Sequence, residues 1–491
     1  MNAGLRPHTR SPRTTALLLA AAVALTTAAG TASAVAATPR TASLDGTWRM
    51  DGYGTVVAIE DGGRKLRTYE TTGVSCLPGE LTGTRTDATG PFRQDGEAPL
   101  TVALKGSDRS ELAFGDNVGH RTLRRTAALP ANCSPATVPS PDADPRTVFD
   151  TYWQTYAENY PFFAARHVDW NAMRDRYRPR ITANTSKKEL FSILSEMIRP
   201  LYDGHTGLVD LENPDGYFSG HRQDTVIPGK QERARIDGAV AASVDAAGAQ
   251  KAGERSWANG QITYAELPGR IGFLRITTFL GYDRGNAYEA DKATLDKALD
   301  EVFTAARTSG PDALHGLVLD LRLNGGGSDR LALSVAERLT GRPYTAYLKH
   351  ARNDARDPKK FTPAEPIAVS PHRGPVYTGP LTVLTGRLTM SAGETLTQAL
   401  LGRGPRPVLI GENTQGLFSD RLERTLPNGW KFWLPNEEFV SAQDHRTTYD
   451  GTGIPPAIHT DVFTEDELSH HRDSALTRAL EELRGRGPAR R

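Results

Sequence analysis

Apolar positions recur along the chain with two different periods. Between residues 42 and 130 the runs are short and β-rich: Gly46-Thr47-Trp48-Arg49-Met50, Gly54 to Ile59, Thr68 to Thr72 and Leu100 to Leu104. Asp61-Gly62-Gly63 between two of them is a hairpin turn. These segments predict a small β-sandwich or barrel. Pro135, Pro139, Pro141 and Pro145, set among Ser, Thr and Asp, then mark a linker over 134–145. Helices follow. Ser186-x-x-Glu189 is a capping-box pattern, and Leu190, Phe191, Leu194, Met197, Ile198 and Leu201 trace one helical face behind it. That helix runs out at Pro200 and delivers the chain into Tyr202-Asp203-Gly204-His205-Thr206-Gly207. Residues 212–260 are polar and read as loop, with a strand near Thr225-Val226-Ile227.

From residue 271 strands alternate with helices. Ile271–Ile276, Leu317–Leu321, Leu381–Leu384 and Val408–Ile410 read as strands. Leu295 to Ala306, Leu331 to Leu339 and Ser391 to Leu401 read as helices at 3.6-residue spacing. That rhythm predicts a largely parallel α/β core covered by helices. No internal repeat is evident.

Composition narrows the class. A chain of 491 residues has room for about three domains. Lys and Arg number 59 against 58 Asp and Glu, so bulk charge makes no case for nucleic acid or an anionic membrane. Two cysteines exclude a disulfide-dense scaffold and a cysteine-built metal cage. Arg6, Arg10 and Arg13, an apolar run from Ala16 to Ala29, and Ala-x-Ala ending near Ala36 follow the order of a cleaved secretory signal peptide over 1–36. The remainder then carries 56 basic and 58 acidic residues and holds no stretch long enough to span a membrane. Export would place Cys76 and Cys133 in an oxidising compartment, where the pair is expected to close as a disulfide. The reading is therefore a secreted, extracellular protein.

Few residues stand out chemically. Ser391 follows a predicted strand and opens a predicted helix, where unpaired N–H groups can hold an oxyanion beside a nucleophile. From local sequence alone, a helix N-cap is the favoured reading of this serine. Thr389 replaces the first glycine of a Gly-x-Ser-x-Gly elbow. Asn324-Gly325-Gly326-Gly327 turns out of a strand but matches no phosphate-binding pattern. His205 lies in a glycine-flanked loop, and Asp450 in Tyr449-Asp450-Gly451-Thr452-Gly453-Ile454-Pro455-Pro456. No His-Glu-x-x-His or equivalent donor set occurs, so no metal and no organic cofactor is expected.

In this order, the segments resemble the family of C-terminal-processing (tail-specific) peptidases, which includes tricorn protease and the interphotoreceptor retinoid-binding protein repeats. Leu201 to Thr206 looks like its "L-x-D-G-H" segment, and Asp320-Leu321-Arg322-Leu323-Asn324-Gly325-Gly326-Gly327 like "D-x-R-x-N-x-G-G". Ser391-Ala392-Gly393-Glu394 matches "S-A-x-E", and Gly411 to Gly416 matches "G-x-x-T-x-G". Leu426-Pro427-Asn428-Gly429 and Gly451 to Pro456 are similar to its closing segments. The resemblance covers about 145–465. It implies a crotonase-like catalytic core with a helical N-terminal subdomain, a peptide or protein substrate, and Ser391 as nucleophile. It also implies oxyanion donors at the N–H of Ala392 and of Gly326, with Gly327 as alternative. Leu417 and Phe418 fill the place of the lysine that some members use, so the tricorn style is implied, with His205 as base and Asp450 orienting it. Tricorn has Glu at that last position, one methylene longer, so Asp203 and Glu412 are the substitutes.

The expected organisation is a signal over 1–36, a β domain with disulfide over 42–133, and a linker over 134–145. A helical subdomain carrying the base follows over 146–215, then a catalytic core over 216–465 and a C-terminal helix and tail over 466–491. The polar stretch between His205 and Ile271 lacks the apolar strands of a PDZ domain, so none is expected. The resulting function is a secreted serine peptidase working through an acyl-enzyme. The alternatives are a non-catalytic binder of small apolar ligands, as in the retinoid-binding repeats, and an esterase.

Overall fold

A computed structural model describes residues 43–485 except 88, 95–97, 250–252, 284 and 286; the expected signal segment 1–36 lies outside the described residues. The first seven strands, Gly46–Met50, Thr55–Glu60, Lys65–Thr71, Cys76–Thr84, Leu100–Leu104, Arg109–Phe114 and Arg121–Thr126, form one antiparallel sheet. Cys76–Thr84 and Leu100–Leu104 end that sheet on either side. Arg93 pairs with Thr84 and Phe92 with Leu100, which closes the sheet into a barrel. Along Gly46–Met50, Trp48 and Met50 turn inward and Arg49 outward, the two-residue period of a sheet with one wet face. Cys76 and Cys133 are joined as a disulfide that ties a barrel strand to the chain leaving the barrel.

The barrel has no core of its own. Trp48, Val57, Leu66 and Phe92 belong to the same apolar cluster as Phe149, Tyr152 and Tyr156 of the helix Pro145–Asn159. Ile193, Leu194, Met197 and Ile198 of the helix Lys187–Ile198 join it. Both helices begin as their sequences dictate. Asp144 accepts from Arg146 N–H with Pro145 in the first turn, and Ser186 Oγ accepts from Glu189 N–H at 3.3 Å.

The second half of the chain is built on a seven-stranded sheet, in the order Arg255–Trp257, Ile262–Leu267, Ile271–Ile276, Gly316–Asp320, Leu381–Thr385, Val408–Gly411, Ile458–His459. The first two pairings are antiparallel and the other four parallel. Alternation along the strands sorts the core into two layers. Leu317, Leu319, Leu381 and Val383 face helices Tyr288–Val302, Asp329–Arg338 and Ala392–Leu400, whereas Val318 and Leu384 face Lys230–Ala246 and Ser474–Gly485.

Residues 212–260 are not the loop expected. They contain the 17-residue helix Lys230–Ala246, and Thr225–Ile227 is not a strand. That helix buries only Ile236, Val240 and Val244, a stripe one residue wide every fourth position. So narrow a stripe, among Arg, Asp, Glu and Ala, gives little apolar period to see, although the four-residue spacing itself was the available signal.

A small sheet, ordered Arg421–Thr425, Lys431–Pro435, Gly207–Val209, Tyr217–Ser219, joins the loop of His205 to the second half of the chain. Its first hairpin turns at Leu426 to Gly429, the latter at φ +87°. Gly207 lies under the indole of Trp433, where a Cβ would come within 2.0 Å of the ring. Only glycine permits that approach.

Candidate active site

Ser391 sits between the strand Leu381–Thr385 and the helix Ala392–Leu400, at φ 50° and ψ −120°. A non-glycine residue at positive φ is strained and persists only where its surroundings hold it. Three tethers do so. Met390 N–H donates to Asn324 O at 2.8 Å, Thr389 Oγ1 donates to Leu321 O at 2.8 Å, and Ser391 N–H donates to Glu394 Oε2 at 3.2 Å. The strain projects the serine at the N-terminus of a buried helix. There Ala392 N–H has no hydrogen-bond partner among the described residues.

The glycine turn lies directly against it. Gly326 is so near that a Cβ on it would stand 2.6 Å from Ser391 Cβ, and Gly327, at φ +127°, lies against the Phe279 backbone at 2.4 Å by the same measure. Asn324 fixes the turn: its Nδ2 donates to Ile276 O at 2.9 Å and its Oδ1 accepts Gly326 N–H at 3.0 Å. Gly326 N–H is therefore occupied. Gly327 N–H has no acceptor among the described residues. The free N–H of the turn is thus that of Gly327, the alternative to Gly326.

His205 reaches the same cleft from the other half. The helix Lys187–Ile198 ends in a short 3-10 turn, Tyr202 takes φ +47°, and Asp203 then organises the loop. Asp203 Oδ1 accepts His205 N–H at 2.9 Å, and its Oδ2 accepts from Tyr160 Oη at 2.9 Å and Arg166 Nη2 at 3.4 Å. Ser391, His205, Gly327, Leu417 and Asp420 line one cleft of about 370 Å³. Burial depresses the imidazole pKa below its usual 6.5, and the Asp203 charge offsets part of this. The ring's Nδ1 is buried with no partner among the described residues.

The carboxylates divide. Asp450 accepts from Thr448 Oγ1 at 2.5 Å and from Phe418 N–H at 3.3 Å, not from the imidazole. Burial pushes its carboxyl well above the usual range. Glu412 faces elsewhere, paired with Arg387 Nε at 3.2 Å. Asp203 is the acid whose charge acts most on His205.

Two residues that hold the site carry no role in the sequence reading. Asn324 is one. Glu394 is the other: fully buried, it accepts Gly416 N–H at 2.6 Å and Leu417 N–H at 2.7 Å besides Ser391 N–H. Burial pushes its pKa up to about 7 against those donors. Ser391-x-x-Glu394 is itself a capping-box spacing, and that was the signal available.

Residues 270–460 match the model of peptidase family S41, and residues 141–199 match the tricorn protease C1 domain. His205 falls between the two matches. Among curated proteins none matches the chain. Among solved structures, a protein from Parabacteroides merdae ATCC 43184 described as a candidate peptidase is similar at 24% identity and TM-score 0.55, over 70% of this chain and 97% of that one. Mature CPAF complexed with lactacystin is similar at 12% identity and TM-score 0.47, over 70% and 97%. A lipoprotein from Streptococcus agalactiae follows at 16% and 0.44, over 71% and 97%. The first of these likenesses is one of fold. The family matches cover the strand ending in Asp320, the glycine turn, the Ser391 turn and the helices ahead of the histidine loop, and the chain is a peptidase that resembles family S41 over residues 270–460.

Proposed function

We propose that the chain is an exported serine peptidase in which Ser391 is the nucleophile and His205 its base. The observation that carries this reading is the strained Ser391, held at a helix N-terminus in one cleft with His205 and the glycine turn. Ser391 Oγ attacks the scissile carbonyl carbon while the imidazole takes its proton. The N–H groups of Ala392 and Gly327 stabilise the oxyanion. The imidazolium passes the proton to the leaving amine, and water releases the acyl group by the reverse sequence. Neutral His205 is the competent form, and its depressed pKa keeps it neutral at pH 7.

Asp203 takes the part first assigned to Asp450, as the negative charge that favours the imidazolium. Asp450 acts one step further out. It holds Phe418 N–H, and the following Ser419 carbonyl lies against the imidazole. The closed Cys76–Cys133 pair and the signal-like segment 1–36 support export. Among the described residues no helix is long and apolar enough to cross a membrane.

Labelling with a fluorophosphonate, read by peptide mapping, tests the assignment. The expected result is an adduct at Ser391 that is absent in Ser391→Ala and slowed at least 100-fold in His205→Ala, the scale of a lost general base. An unlabelled, folded wild-type protein would overturn it.

A further inference from the structure

We propose that the free edge of the strand Tyr217–Ser219 binds the substrate main chain as an added β-strand beside Ser391. The inference rests on the peptidase reading above and names the form in which that site takes its substrate.

Tyr217–Ser219 is the last strand of the small sheet, and among the described residues nothing pairs with its outer side. Its register fixes which groups face outward. Leu208 opposes Phe218, and hydrogen bonds from Gly220 N–H to Thr206 O and from Asp210 N–H to Gly216 O flank that pair. Bonding in an antiparallel ladder alternates by two residues. Residues 216, 218 and 220 therefore turn their main-chain groups toward Gly207–Val209. Tyr217 and Ser219 turn theirs away.

That open edge is continuous with the chemistry. Ser219 and Gly220 line the same cleft as Ser391, His205 and Gly327. Facing them across the cleft are the glycine turn and Leu280, whose side chain is half-exposed. An extended peptide fits between. Its main chain meets the N–H and C=O of Ser219 and Tyr217 in turn, and its scissile carbonyl meets Ala392 and Gly327 N–H. Three edge residues span about 10 Å, so they grip roughly three substrate residues. Edge strands elsewhere recruit extended peptides by the same main-chain bonds. The outward face also carries a side-chain platform: Tyr217 lies 6.1 Å from the Trp433 ring, and Arg421 stacks over that ring at 5.6 Å. An extended segment is the one peptide conformation that can use this edge. Folded protein substrates would have to unfold locally to reach Ser391.

The test uses a quenched-fluorescent octapeptide, selected from a library for cleavage by the full chain, and the same peptide N-methylated at one backbone nitrogen at a time. The expected result is KM raised roughly 3- to 10-fold at alternate positions only, the scale of one main-chain hydrogen bond. Tyr217→Pro removes an outward N–H at an edge, where proline is tolerated, and is expected to raise peptide KM by a similar factor. Fluorophosphonate labelling of Ser391 should keep its wild-type rate in that variant. Uniform tolerance of N-methylation overturns the proposal while labelling persists. Loss of labelling in the wild type would instead overturn the peptidase assignment beneath it.

Discussion

Replacing Lys349 by methionine probes the junction between the barrel and the catalytic cleft. Lys349 lies on the strand Tyr344–Ala351 with its side chain only 8% exposed. Its Nζ is 2.8 Å from Asp420 Oδ2 and 3.3 Å from Glu437 Oε2. The barrel supplies the outer partners: Asn117 Nδ2 donates to Asp420 at 2.7 Å, and Tyr53 Oη donates to Glu437. At an effective dielectric near 20, each ion contact is worth roughly 5–6 kcal/mol before desolvation. Burial of the three charges takes back most of that. Removing Lys349, however, leaves two buried carboxylates with only Arg121 to offset them, and the expected loss is about 3–5 kcal/mol.

The sign of the pH dependence follows. In the wild type the Lys349 ammonium holds Asp420 below the usual carboxylate range, despite burial. That stabilisation is present above the unfolded pKa of about 4 and is lost below it. In Lys349→Met burial raises Asp420 instead and raises Glu437, already high in the wild type, further, so the variant loses stability as pH rises above about 4. The deficit is therefore largest at pH 8 and shrinks toward pH 5. Urea denaturation at both pH values measures it. Lys349→Met with Asp420→Asn should recover part of the loss, since one buried charge is then gone. A deficit under about 1 kcal/mol at pH 8, or one that grows on acidification, would refute the reasoning.

Other outcomes are expected. Activity should rise with pH along a limb whose midpoint lies below histidine's usual value of about 6.5, because burial depresses His205; kcat/KM from pH 4 to 8 checks this. Asp203→Asn removes the charge that favours the imidazolium, so kcat should fall and the limb should move to lower pH, whereas Asp450→Asn should leave the limb in place. Glu394→Gln keeps the shape but turns an amide donor toward at least one of three N–H groups; a loss of about 1–3 kcal/mol in urea denaturation is expected, with slower labelling of Ser391. Opening the disulfide by Cys76→Ser with Cys133→Ser frees a loop of 57 residues' separation and should cost about 4 kcal/mol, read from the same denaturation curves.

The elements that form by local rules were legible in the sequence. Ser186 before an apolar face gave the helix start, and Leu317 to Leu321 gave a buried strand. Ser391 was legible as the residue between strand and helix. Its strain was not, because φ +50° is imposed by Asn324, Leu321 and Glu394 acting together. The choice between Gly326 and Gly327 was likewise a tertiary matter, decided by where the Asn324 side chain bonds. The proposal of Asp203 over Asp450 as acid partner rests on tertiary geometry. Asp450 ends one methylene short of a glutamate and satisfies itself on Thr448 and Phe418. Asp203, two residues from the histidine, reads locally as a turn former and is one, while its charge also reaches the ring.

The barrel offered no catalytic residue in sequence, and its strands alone left its role open between support and recruitment. Its contacts favour support. Ser328 follows Gly327 directly and caps the helix Asp329–Arg338, and its Oγ donates to the barrel carbonyl of Asp116 at 2.5 Å. The next barrel residue, Asn117, holds Asp420 on the opposite wall of the cleft. Asn436 Nδ2 donates to the barrel carbonyl of Gly52 at 2.8 Å, beside Glu437. One barrel loop thus braces the glycine turn proposed to stabilise the oxyanion and the segment that lies against His205. With Trp48 and Phe149 in one apolar cluster, the barrel cannot swing as an independent recruiting module without exposing that cluster. A substrate must come to the cleft, and the open edge at Tyr217 is where an extended one can be held.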